Sequence, residues 1–230
     1  MSLLFVLRLA FDFLALGLLL AALAYDWLGN LVHEVIGTAL FGLLLLHNAF
    51  NRRWYGTIAK SRPEPRSWVN RGSVVALLIA MLILLVTSLL ISRSVFTYLP
   101  LSGGFAARQI HGVAAYWGLV LVSFHLGMRW ALIMATAQGL IGLRVSPTCA
   151  FVLRLFAVAI AAYGIHSSIV LGVGARLMAE VTMNFWNFDA STIGFFAHLV
   201  SIACLYATLS HYISQLLRRI DGPKSRPDSK

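Results

Sequence analysis

The chain has 230 residues, of which 60% are hydrophobic and only 11% charged, with a mean hydropathy of +0.83. This excludes an ordinary soluble composition. The net charge of +10 and pI near 10.3 would suit a nucleic-acid partner in a soluble protein. Here the arginines cluster between apolar runs, so membrane topology accounts for them and no nucleic acid is expected.

In chain order, six apolar stretches stand out by hydropathy: 3–24, 31–50, 73–92, 108–134, 149–173 and 192–216. Each is long enough for the roughly 20 residues that cross about 30 Å of hydrocarbon. β-Barrel segments would be shorter and would alternate. The expected fold is all-α: a polytopic membrane helix bundle of six transmembrane helices with a four-helix core. Residues 1–217 form a single transmembrane domain in this reading, and 218–230 a basic tail, predicted to be disordered.

The first span resembles a signal peptide at Ala22-Leu23-Ala24, but its apolar run is longer than a signal's and holds Arg8 and Asp12, so it reads as a span. Between the second and third spans lie Arg52, Arg53, Lys60, Arg62, Arg66 and Arg71. After the sixth come Arg218, Arg219, Lys224, Arg226 and Lys230. Both segments are predicted cytoplasmic, which puts both termini of a multi-pass protein inside. Cys149 and Cys204 fall in spans with no CxxC or CxxCH, so neither a disulfide framework nor covalent haem attachment is indicated.

Two spans carry histidines at the same spacing: HEVIGTALFGLLLLH at 33–47 and HGVAAYWGLVLVSFH at 111–125. At about 100° per residue, fourteen positions turn about 40° short of four full turns, so His33 and His47 share a face, as do His111 and His125. At about 1.5 Å per residue, the two histidines of each helix stand about 21 Å apart along the axis. One span intervenes, so the two helices run in the same direction. His33 then lies level with His111, and His47 with His125.

Facing imidazoles from two helices are the axial ligand set of a b-type haem, and helix bundles build cofactor sites this way. The four histidines are therefore candidate iron ligands for two haem b groups. Gly37, Ala114, Ala115 and Gly118 are small residues that would let a flat macrocycle approach the backbone, although such residues also serve plain helix packing. Arg108 and Arg129 lie toward opposite membrane surfaces on the ligand face, placed either to hold haem propionates or to act as topology charges. One tetrahedral zinc site is not available from pairs at opposite depths.

His198 and His211 are thirteen apart and do not share a face. For His166 and His198, interhelical hydrogen bonding is preferred over a third metal site or a quinone contact. Asp12 is expected to pair with an arginine and Glu34 to solvate a helix start, with a proton path as the alternative for either. The loop NFWNFDAS reads as an interfacial aromatic belt, with docking of a partner as the alternative.

Two histidines on each of two alternate helices resemble the dihaem cytochrome b group, and membrane ferric reductases use a related layout. More narrowly, HEVIGTALFGLLLLHNAFNRRWY, IHGVAAYWGLVLVSFHLGMRW and the ending GVGARLMAEVTMNFWNFDASTIGFFAH are similar to bacterial flavinylation-associated cytochromes. The resemblance implies the ligand pairs His33 with His111 and His47 with His125. It further implies electron transfer between a membrane quinone pool and a flavoprotein, cytochrome or iron–sulfur partner outside. The sequence carries no quinone-site signature that we recognise. Two other functions are expected to compete: a stand-alone ferric or flavin reductase, and a non-redox anchor or transporter whose histidines bind protons or ions.

Overall fold

The computed structural model describes residues 3–58, 64–142, 146–182 and 185–220. Lys60, Arg62, Lys224, Arg226 and Lys230 of the basic segments lie outside the described residues. So do most of the tail and one position of the NFWNFDAS loop, Asn184. The described residues form eight helices and no strand: α1 (Leu3–Ala22), α2 (Tyr25–Phe50), α3 (Arg52–Ile58), α4 (Pro65–Ile91), α5 (Phe105–Ile141), α6 (Pro147–Val170), α7 (Val173–Leu177) and α8 (Phe188–Ile220). Helices α1, α2, α4, α5, α6 and α8 are each long and apolar enough to cross a membrane. The chain is a multi-pass, all-α membrane protein.

Helices α2, α4, α5 and α8 are longer than the apolar stretches, because hydropathy marks the lipid-covered part and backbone hydrogen bonding continues past it, while α1 and α6 end two and three residues before theirs. Pro65 starts α4 at a position where its missing N–H costs nothing, eight residues before the apolar run begins. Two added turns end at breaks. Gly29, with φ of 74°, separates residues 25–28 from the straight part of α2, and this left-handed conformation is one that glycine adopts without steric cost. Ser191, in extended conformation, does the same near the start of α8.

Helix α5 is the hub, packed closely on α4 and α8 and touching α7 and α1. Glycine lets two of the crossings close. A Cβ on Gly127 would lie 2.0 Å from the Ala207 carbonyl oxygen of α8, and one on Gly164 of α6 would lie 2.4 Å from that of Ser201. Leu119, Leu199 and Ile202 are fully buried at the core of this α5–α8 side. The α1–α2 pair is attached differently. The backbone of α2 packs closely on α1 but stands a side-chain layer away from α4 and α5, bridged by Phe41 and Leu44 against Met81, Leu84 and Ala114.

Contacts at the helix ends fix the register. Arg66 at the start of α4 donates to Ser214 near the end of α8 at 3.1 Å, and the Arg8 guanidinium lies 5.4 Å from the ring centre of Phe50 at the end of α2. These contacts define a basic end. At the opposite end, Glu34 fastens α2 to the turn after α4. Its carboxylate accepts from Asn30 Nδ2 at 2.8 Å, Ser92 Oγ at 2.7 Å and the backbone N–H groups of Arg93, Ser94 and Val95 at 2.7, 3.1 and 2.7 Å. It is a clamp between two helices, where the sequence suggested solvation of a helix start or a proton path.

Two stability outcomes follow. Gly127→Ala is expected to lower stability by about 1–3 kcal/mol through overpacking, while Gly112→Ala, which meets open space, is expected to leave it unchanged or raise it slightly. Glu34→Ala leaves three backbone donors without their acceptor and is expected to cost about 3 kcal/mol. Thermal unfolding midpoints in one detergent compare all three variants.

Candidate functional site

The offset between α2 and the α4–α5 pair leaves a cleft lined by His33 and Gly37 of α2, Leu19 and Ala22 of α1, Leu84 and Ser88 of α4, and His111 and Ala115 of α5. Across it the rings of His33 and His111 stand with centroids 6.0 Å apart and planes at 66°. Two metal–imidazole bonds of about 2.0 Å and two nitrogen-to-centre distances of about 1.1 Å would put coaxial ligand rings about 6.2 Å apart. The separation is therefore that of two imidazoles sharing one metal ion.

Which nitrogen faces the cleft is decided by what holds the other. His33 Nδ1 donates to the carbonyl oxygen of Ala22 at 2.9 Å. The Thr87 hydroxyl spends its proton on the Ile83 carbonyl at 2.7 Å, so at 3.0 Å it accepts from His111 Nδ1. Asp12 Oδ1 accepts from His47 Nδ1 at 2.5 Å. Three different acceptors thus select one tautomer, with the lone pair on Nε2. A metal-binding histidine is oriented in the same way, by a carbonyl, hydroxyl or carboxylate on its far nitrogen.

The fourth histidine is different. His125 Nδ1 is buried and has no hydrogen-bond partner among the described residues. Its ring is not in contact with that of His47, but it lies within electrostatic reach of His47, Asp12 and Arg129. At the basic end the two imidazoles are thus neighbours, less closely opposed than His33 and His111.

Among the described residues, no group of three or more His, Cys, Asp or Glu is placed to hold a metal ion. The protein offers pairs. A pair suffices for a metal whose other four ligands come from a macrocycle, and not for a tetrahedral zinc ion. The His33–His111 pair has the spacing a haem would need, while at the other level His47 and His125 are neighbours whose rings are not in contact.

The small residues divide between two roles. Gly37 borders the cleft and meets no atom within 4 Å of an added Cβ, whereas Gly118 faces α4, where a Cβ would touch Met81 at 3.4 Å and Leu84 at 3.7 Å. Ala115 lines the cleft, and Ala114 packs on α4. Arg108 and Arg129 are exposed, and neither makes a hydrogen bond or ion pair to the described residues.

The sequence reading missed Ala22 and Thr87 as partners of the histidines, since a backbone carbonyl and a single hydroxyl carry no signal in sequence. It flagged Asp12 but expected an arginine partner; the carboxylate binds His47 instead, because α1 lies directly against α2. Arg8 also went unassigned, and its Nε is buried without a partner at the basic end.

His166 and His198 form another pair of rings, with centroids 6.2 Å apart. Their surroundings differ. Helices α6 and α8 close on each other at Gly164, Tyr163 stacks on His198 at 5.5 Å, and Trp186 covers its edge at 5.2 Å. His198 Nδ1 is 2.9 Å from the Ser167 hydroxyl, the interhelical hydrogen bond expected from sequence. No gap separates these helices as one separates α2 from α5.

Compared with protein-family models, curated proteins and solved structures, the chain finds no match in any of the three.

Thr87→Val tests the held tautomer. Loss of the one acceptor for His111 Nδ1 is expected to lower stability by about 1–2 kcal/mol, and Thr87→Ser to restore it, as read from thermal unfolding in detergent.

Proposed function

We propose that this chain is a dihaem b-type cytochrome that carries electrons across a bacterial inner membrane as a subunit of a larger oxidoreductase. It would connect a quinone pool in the bilayer with a redox protein outside, a flavoprotein, cytochrome or iron–sulfur subunit. The observation that carries the reading is the His33–His111 pair: rings 6.0 Å apart across a cleft, with both Nδ1 atoms already engaged.

A haem held by two protein ligands supplies one-electron transfer without an open coordination position for substrate. The chain's residues do the rest. His33 and His111 would hold one group and His47 and His125 the other, about 21 Å away by helix rise. Gly37 and Ala115 leave room beside the first pair. Arg108 stands toward the opposite end, and Arg129 and Arg8 toward the basic end, where propionates would find charge-assisted donors. The basic end would face the cytoplasm by the excess of arginine in its connections.

The purified protein is expected to contain two haems per chain and to show a b-type reduced spectrum. His125→Ala is expected to remove one of them and leave the other. Haem-free protein from cells with ample haem supply would overturn the reading. Reduction of the haems by NADH or NADPH alone, with pure protein, would favour a stand-alone reductase over a subunit.

A further inference from the structure

The four histidines are held unequally. At the opposite end, His33 is backed by a neutral carbonyl and His111 by a neutral hydroxyl. At the basic end, His47 is backed by the Asp12 carboxylate at 2.5 Å, while His125 has no acceptor on Nδ1. A carboxylate pulling on the far N–H raises the basicity of the ligating nitrogen, and its negative charge favours the more positive, oxidised metal. A carbonyl or hydroxyl does so much less.

We propose that Asp12 is a positioning residue that makes the His47–His125 site the more reducing of the two; the proposal rests on the dihaem reading. An electron shared by the two sites then moves from the basic end to the opposite end, one site being oxidised as the other is reduced. The nearby positive charge of Arg129 opposes this. Both side chains are exposed, but the carboxylate is hydrogen-bonded directly to the ligand ring, and electrostatic energy falls with distance. The inference also gives α1 a function: it holds His33 through Ala22 and His47 through Asp12.

The test is a redox titration of the optical spectrum of the purified full-length protein. Wild type is expected to show two midpoint potentials. His125→Ala is expected to lose the lower component and His111→Ala the higher. Asp12→Asn keeps an acceptor oxygen but removes the charge. It is expected to raise the lower potential by at least one tenfold change in the one-electron equilibrium, about 59 mV, to leave the higher one in place, and to shift the low-spin ferric EPR signal of one haem only. Asp12→Glu is expected to keep the wild-type value. Two bound haems with both potentials unmoved in Asp12→Asn, or loss of the higher component in His125→Ala, would overturn the role of Asp12 while leaving the dihaem reading intact. Wild-type protein without haem would overturn both. The histidine variants decide the order of potentials even if Asp12→Asn fails to fold.

Discussion

An imidazole inside a membrane helix has two nitrogens to satisfy and no water to satisfy them. That constraint organises the bundle. In His33, His47 and His111 the protein engages Nδ1, and His33 and His111 line the cleft. A buried polar atom without a partner costs about 1–3 kcal/mol. Among the described residues only His125 Nδ1 and Arg8 Nε are buried without a partner, so that cost falls at the basic end.

The fold serves that arrangement by not closing. Where α5 meets α8, glycine permits backbone contact and the interface is filled by Leu119, Leu199 and Ile202. Where α5 faces α2, side chains alone bridge the distance, and the α1–α2 pair is held from its ends by the Glu34 clamp and from its middle by Phe41 and Leu44. Tight crossings on one side of α5 and an open one on the other give the hub helix two faces with different work. The His166–His198 pair makes the same point by contrast: its rings are as close, but its helices are in contact, and the cluster reads as packing.

Much of this was legible in the sequence. Six spans, their order and the shared face of each histidine pair follow from hydropathy and the helical repeat, which are local. The helix ends were less legible, because polar turns such as residues 65–72 continue the hydrogen-bond ladder without any apolar signal. Glycine roles were legible only in part. Gly37 borders the cleft, as its place on the ligand face suggested, but Gly118 turned out to face Met81 and Leu84, since a small rotation of α5 decides which neighbour a residue meets.

The sequence by itself determined that the chain is a bundle of membrane helices and that His33, His47, His111 and His125 stand at two levels on two codirectional faces, because composition and period are properties of single segments. Only the tertiary structure decided which helices touch and which stand apart. It decided that Asp12 binds His47 rather than an arginine, that Ala22 and Thr87 hold the rings of His33 and His111, and that Glu34 ties α2 to the turn after α4. Those pairings join residues 11 to 61 positions apart, and no local pattern encodes the packing that brings them together.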